Sequence, residues 1–181
     1  DKAKTYVTQG FIGSDENNFT VSLGREGSDY SAAIFAYCLD AKDMTIWKDV
    51  PGVMTGDPRK FENVELLSNI SYEEAIEMAY YGASVIHPKT LQPLKQKSIP
   101  FFVKSFISPE KAGTKIGIST ENQLLESYIL KENQVLMRIS TRDFSFIAED
   151  HISFIFRELA KRNIKVSLMQ NSAISLALCL E

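Results

Sequence analysis

Five consecutive residues, Arg25-Glu26-Gly27-Ser28-Asp29, set a cation, a hydroxyl and two carboxylates side by side. The planar guanidinium of Arg25 matches the two oxygens of a carboxylate and can hold them bidentately. Ser28 can donate to the same anion, and Asp29 can orient a lysine, a substrate amine or a metal-bound water. The alternating stretch 19–23 before the pentad predicts a strand, and the strongly apolar stretch 30–39 after it predicts a buried helix. Gly24 and Gly27 allow a tight turn between the two. The pentad is therefore expected where a helix begins, and free N–H groups at a helix start favour anions. A plain helix start, capped by Ser or Asp beside a solvent-facing Arg, is the simpler reading of the same residues.

A second group lies at residues 47–59. An apolar strand, 44–47, runs into Lys48 and Asp49, and a Gly- and Pro-rich loop then carries Met54, Asp57 and Arg59. Ligands in open α/β sheets bind beyond the carboxyl ends of strands. Lys48 and Arg59 can neutralise phosphate oxygens, and Asp49 can contact a ribose or a base. Pro-Gly and Asp-Pro are also ordinary turn pairs, and no Walker-type glycine loop is present. A third group, 81–88, combines Gly82, Ala83 and Ser84 with His87 and Pro88. Its small residues let a ligand or another strand approach closely. His87 reads as a residue that satisfies local backbone groups. Neither it nor His151 has a serine or cysteine partner in a triad-like pattern, which argues against hydrolase chemistry of that kind.

The elements that must position these groups alternate. Strands are predicted at 4–11, 19–23, 44–47 and 100–106, and helices at 30–39, 72–81 and 90–97. Ser71 and Glu74 have capping-box spacing, Gly82 suits a helix end, and Pro88 suits a first helical turn. Such alternation predicts an α/β layer with a largely parallel sheet. Around residues 113–122 the pattern relaxes into Gly, Ser, Thr and Asn, where a domain boundary is expected. Beyond it, 124–130 and 134–141 read as strands. Ile152, Ile155, Phe156 and Leu159 share one helical face, and 165–170 and 174–180 read as strands, giving a βαββ module.

The chain has 181 residues, enough for one sizeable domain or two small ones. A net charge of −3 gives no reason to expect a general nucleic-acid or anionic-membrane binder. The longest apolar run, 32–39, is too short to cross a bilayer, and no secretory signal opens the chain, so a cytoplasmic protein is expected. Cys38 and Cys179 lie in apolar surroundings without metal-like spacing and read as reduced core residues. Strand-like stretches at both ends give the expectation that the chain is part of a longer polypeptide.

Order and spacing carry more than any group alone. Residues 23–30, 46–59, 70–88 and 99–103 resemble the second half of the aspartate kinase catalytic domain, of the amino-acid kinase fold. That family shows Leu-Gly-Arg-Gly-Gly-Ser-Asp, a strand ending in Trp-Thr-Asp-Val, then Gly-Val-Tyr-Thr and Asp-Pro-Arg. An Ile-Ser-Tyr-Glu-Glu-Ala helix and Gly-Ala-Lys-Val-Leu-His-Pro follow. The tail is similar to the first of two ACT regulatory modules, of ferredoxin-like βαββ type. The resemblance implies residues 1–117 as the C-terminal part of a kinase domain and 118–181 as an incomplete ACT-like module.

It further implies that Arg25, Gly27 and Ser28 hold L-aspartate and that Asp29 is catalytic, organising the active-site lysine and the reacting groups. Lys48, Asp49, Met54, Arg59 and Ser84 fall on the nucleotide side, with ATP and Mg2+ as cofactors and no metal site built by the protein itself. Glu26 replaces a family glycine, Lys48 a threonine, Met54 a tyrosine and Ser84 a lysine. One expectation is that Lys48 supplies the charge Ser84 lacks. The family's N-terminal Lys-Phe-Gly-Gly-Thr-Ser segment is not in this sequence, so the 181 residues alone are expected to lack kinase activity. ACT modules pair side by side, which implies a homodimer with an amino-acid effector, threonine or lysine. Ser167 and Ala173 stand where lysine-inhibited relatives carry acidic residues, whereas Gln170, Asn171 and Ser172 offer neutral groups better matched to threonine. The segment 170–172 is also an ordinary turn between strands. Rival readings are a glutamate or acetylglutamate kinase and a non-catalytic effector-binding chain.

Overall fold

The computed structural model describes residues 5–83, 85–118 and 126–181. It forms two compact units, Asp1–Leu130 and Lys131–Glu181.

In the first unit, β1 (Ile12–Ser14) and β2 (Thr20–Ser22) form an antiparallel hairpin that leads into α1 (Gly27–Cys38). β3 (Met44–Lys48), β4 (Asn69–Ser71), α2 (Tyr72–Tyr81), α3 (Pro88–Gln96), β5 (Phe101–Ser105) and β6 (Thr114–Gly117) follow. The sheet order is β3-β5-β6-β4, with β3/β5 and β4/β6 parallel and β5/β6 antiparallel. The parallel β3/β5 pair needs a crossover, which α2 and α3 supply. The two central strands bury one face, on which Phe101, Val103, Thr114 and Ile116 are fully buried, while Phe102, Lys104 and Lys115 alternate to a half-buried or exposed face. Ala33, Ile46, Ile70, Met78, Leu91 and Leu94 pack around them as one core.

Local signals explain the helix ends. The Ser71 side chain accepts from Glu74 N while Ser71 N donates to the Glu74 carboxylate, closing the capping box of α2. Gly82, at φ 124°, ends that helix in a conformation that favours glycine. Pro88 opens α3, and His87 Nδ1 accepts from Lys89 N at 3.1 Å as its cap. Burial raises the pKa of the Tyr72 hydroxyl, which donates to Ile99 O under the sheet.

Several expectations need correction. Residues 5–10 form no strand, and Tyr6 and Val7 are almost fully exposed, because an alternating stretch becomes a strand only when a neighbour pairs with it. Residues 126–130 are likewise irregular. Helix α1 starts at Gly27, so Ser28 and Asp29 lie inside its first turn and its N-cap is Glu26, with no side-chain cap bond. The apolar α1 is only partly buried: Gly27, Ser31, Ala33 and Ala36 face inward, while Ile34, Phe35 and Cys38 are exposed. Cys38 therefore lies outside the core. Cys179 is half-buried on the strand positions that alternate away from Leu178 and Leu180; both thiols are free.

In the second unit, β7 (Val135–Ser140), α4 (Glu149–Lys161), β8 (Val166–Asn171) and β9 (Ser175–Leu180) follow the expected strand-helix-strand-strand order. The sheet, β7-β9-β8, is antiparallel throughout. Ile155, Phe156 and Leu159 of α4 cover Leu176, Leu178 and Leu180 of the central strand.

Candidate functional site

The start of α1 is shaped by two left-handed residues, Gly24 at φ 79° and Glu26 at φ 54°. Glycine adopts this region freely, whereas a residue with a Cβ is strained there by about 1 kcal/mol. The position that needs conformational freedom is thus Glu26. Gly27 is needed for another reason: a Cβ there would lie 3.0 Å from both the Leu23 side chain and the Phe11 ring. Its smallness lets the β1–β2 hairpin close onto the helix. The turn is held by Ser31 Oγ, which donates to Gly27 O at 2.9 Å and accepts from Phe11 N at 3.0 Å. One carboxylate oxygen of Glu26 is buried and takes no hydrogen bond. Arg25 and Ser28 are exposed beside it.

Asp29 points from the first turn of α1 to the end of β3, where Lys48 Nζ lies 2.7 Å from its Oδ2. The side chains are 15% and 23% exposed, and the contact is ionic, off the line of a hydrogen bond. This pair joins the pentad to the strand that leads into the second group. A carboxylate near a helix N-terminus is also favoured by the helix dipole.

Beyond β3 lies a cavity of about 420 Å3. Asp49, Val53, Met54, Asp57 and Arg59 line one side, and Met78, Gly82 and Val85 from the α2 end line another. Tyr128, Ile129 and Leu130 complete the lining. A cavity of this size suits a nucleotide-sized ligand, with an apolar lining and a few convergent polar groups. A second cavity, of about 300 Å3, lies across Tyr128, but Glu62, Glu65 and Glu126 line it and no cation does among the described residues, which suits an anionic ligand poorly.

The loop that shapes the larger cavity is tied to the sheet by a residue the sequence reading passed over. Thr114 of β6, fully buried, accepts from Val53 N at 2.8 Å through its hydroxyl. Gly52, at φ 150°, passes so close that a Cβ would lie 2.5 Å from Thr114 Oγ1. Next to it Thr55 N donates to Glu65 O at 2.9 Å, and Leu67 N donates to Val53 O at 2.9 Å. Only the small, β-branched, hydrogen-bonding character of Thr114 hints at this role.

Arg59 grips Asp57 with its fork, Nε 3.0 Å from Oδ1 and Nη2 2.8 Å from Oδ2. These bonds hold the Asp57 carboxyl below the usual carboxylate range and raise the Arg59 pKa. Both groups lie at the surface, so the pair orders the loop more than it stabilises the fold. Ser84 lies outside the described residues. Among the described residues no cluster of three metal-ligating side chains forms.

In the second unit, Ser167 stands between Lys131 and Glu181: its hydroxyl lies 3.2 Å from each, and the two charges pair directly. Ser172 closes the β8–β9 turn, its N donating to Ser175 O at 2.8 Å and its hydroxyl 2.7 Å from Ser175 Oγ. Gln170 stands opposite Ala177 on β8, exposed.

The sequence profile described as the amino acid kinase family matches residues 1–105. The chain is similar to lysine-sensitive aspartokinase 3 of Escherichia coli (strain K12), 42% identical over 180 residues, covering 97% of this chain and 39% of that protein. The crystal structure of E. coli aspartokinase III in complex with lysine and aspartate (T-state) superposes with a TM-score of 0.77 at 41% identity, covering 96% of this chain and 39% of that one. The structure of that enzyme in complex with aspartate and ADP (R-state) gives a TM-score of 0.74 at 40% identity over the same shares. The chain thus spans 39% of the length of that E. coli relative.

Proposed function

The chain belongs to the amino acid kinase family, and we propose that it is the part of an aspartate kinase that carries the nucleotide cavity and one edge of the acceptor site. The whole enzyme would transfer the γ-phosphoryl group of ATP to the side-chain carboxylate of L-aspartate, giving 4-phospho-L-aspartate. Residues 1–117 would belong to the catalytic domain and 118–181 to the ACT-like part, in which Lys131–Glu181 is the compact module and residues 126–130 stay with the first unit. What supports this reading is the Asp29–Lys48 pair at 2.7 Å, which sets the pentad beside the strand leading to the cavity.

In this account Arg25 and Ser28 grip a carboxylate of the acceptor at the start of α1, with Gly27 keeping the turn tight. Asp29 holds the Lys48 ammonium, whose charge offsets that of the phosphates. Asp49, Met54 and Arg59 flank the nucleotide, and Ser84 joins them by sequence position. Phosphoryl transfer depends on such positioning and charge neutralisation more than on covalent help from the protein. Magnesium would come with ATP, bound by phosphate oxygens and at most one or two carboxylates. Among the described residues no helix is long and apolar enough to cross a membrane, and a cytoplasmic enzyme is the reading we adopt. The ACT-like module would pair in a homodimer and take an amino-acid effector at Ser167, Gln170 and Ser172. The carboxylate beside Ser167, that of Glu181, is already paired with Lys131, so a lysine ammonium would meet no free acceptor there, which favours threonine.

The test is acceptor choice in the full-length protein, followed as ADP release. Aspartate is expected to be phosphorylated in strong preference to glutamate and N-acetylglutamate. Preference for either of the others would replace this reading with another amino-acid kinase, and no nucleotide turnover or binding would favour a non-catalytic regulatory chain. The 181-residue chain by itself is expected to show no turnover.

A further inference from the structure

We propose that residues 128–130, the last of the first unit, are a working wall of the nucleotide cavity, with Ile129 as the side chain that packs on the nucleoside part of the ligand. The proposal rests on the nucleotide reading above and adds to it a segment that neither the motifs nor the strand pattern pointed to.

The segment is irregular, yet it is anchored. Tyr128 N donates to Thr55 O at 2.6 Å, on the loop that Thr114 ties to the sheet. The Tyr128 ring packs on Phe61 with centroids 6.0 Å apart, and its hydroxyl donates to the Glu126 carboxylate at 2.6 Å. Two glycines border the segment at ordinary contact distances. A Cβ on Gly56 would lie 3.4 Å from Tyr128 O, and one on Gly82 would lie 3.9 Å from Ile129 Cγ2. Ile129 is half-buried and packs against the core of the first unit, so it has a fixed place on the cavity wall.

The chemistry of the wall selects the nucleoside part over the phosphates. Ile129 and Leu130 join Val53, Met54, Met78 and Val85 as apolar lining, whereas phosphates need the cations and amides found elsewhere. Tyr128 and Leu130 are each more than half exposed, which leaves apolar surface beside the cavity for a flat, weakly polar group to cover.

The test is Ile129→Ala in the full-length protein, with ATP affinity measured by calorimetry and the KM for aspartate measured at saturating ATP. ATP binding is expected to weaken about tenfold, as for loss of a few methylene contacts in an apolar pocket, while the aspartate KM stays unchanged. Unchanged ATP affinity, or an equal rise in both constants, would overturn the proposal. Ligand-free melting checks the fold, and if Ile129→Ala unfolds, Ile129→Val is expected to show a smaller ATP loss in the same direction; no ATP loss there would also overturn it. Absence of ATP binding by the unaltered protein would overturn the nucleotide reading itself, and the wall with it.

Discussion

The cavity beyond β3 and the pentad at the start of α1 are built in opposite ways. The cavity is walled by separate stretches of chain that buried or backbone hydrogen bonds lock together, at Val53–Thr114, Thr55–Glu65 and Thr55–Tyr128. The pentad has polar groups of the right kind, but Arg25 and Ser28 are exposed, and one ion pair, Asp29–Lys48, is what ties it to the sheet. A pocket suited to a large, partly apolar ligand is made by the core and survives as a shape. An edge that grips a small anion is made of charges, and its shape depends on whatever faces it.

The contrast is open to three perturbations. Thr114→Val keeps the volume and removes the acceptor of a buried N–H, which is expected to cost about 2 kcal/mol and lower the melting temperature by several degrees. The KM for ATP should rise in the full-length protein while that for aspartate does not; a lower melting temperature with unchanged ATP kinetics would remove Thr114 from the cavity's support. Glu26→Gly relieves a left-handed residue and a buried carboxylate oxygen, so thermal unfolding should show a gain of about 1 kcal/mol. Equal or lower stability would mean that Glu26 has a partner in the assembled protein. The smallest effect concerns Asp57. The bonds from Arg59 hold the folded Asp57 carboxyl below the ordinary aspartate range, so the pair contributes fully above that range and the contribution is lost as pH falls through the lower folded value. The stability difference between the protein and Asp57→Asn should therefore be constant near neutrality and shrink below about pH 4; a difference that grows on acidification would contradict the sign.

Much of this was legible in the sequence, for physical reasons. The bounds of α2 were readable because Ser71, Glu74 and Gly82 fix its ends locally, whatever the helix packs against. The pentad and the loop after β3 stand out in the sequence as candidates because charged residues stand at the ends of apolar elements, and the structure brings Asp29 and Lys48 of these groups together. What escaped depends on partners distant in sequence. Strand β6 lies in a stretch rich in Gly, Ser and Thr that reads as a linker, yet Thr114 and Ile116 are fully buried between β5 and β4. Residues 4–11 read as a strand and 124–130 as another, but a strand needs an edge to join, and local pattern does not say whether one is free. The exposed Cys38 and Phe35 show the same limit: an apolar helix announces burial without saying which of its faces is covered.

Regions built so differently are expected to serve two separate ligands. Steady-state kinetics of the full-length protein carrying Arg25→Ala or Lys48→Ala, with ATP and aspartate varied in turn, reads this directly. Arg25→Ala is expected to raise the KM for aspartate by about a hundredfold, as for loss of a charge-assisted bidentate contact, with little change for ATP. Lys48→Ala should raise the KM for ATP several-fold, about 1 kcal/mol, with a smaller effect on aspartate. Both variants moving the same constant, or Lys48→Ala leaving the ATP constant unchanged, would contradict it.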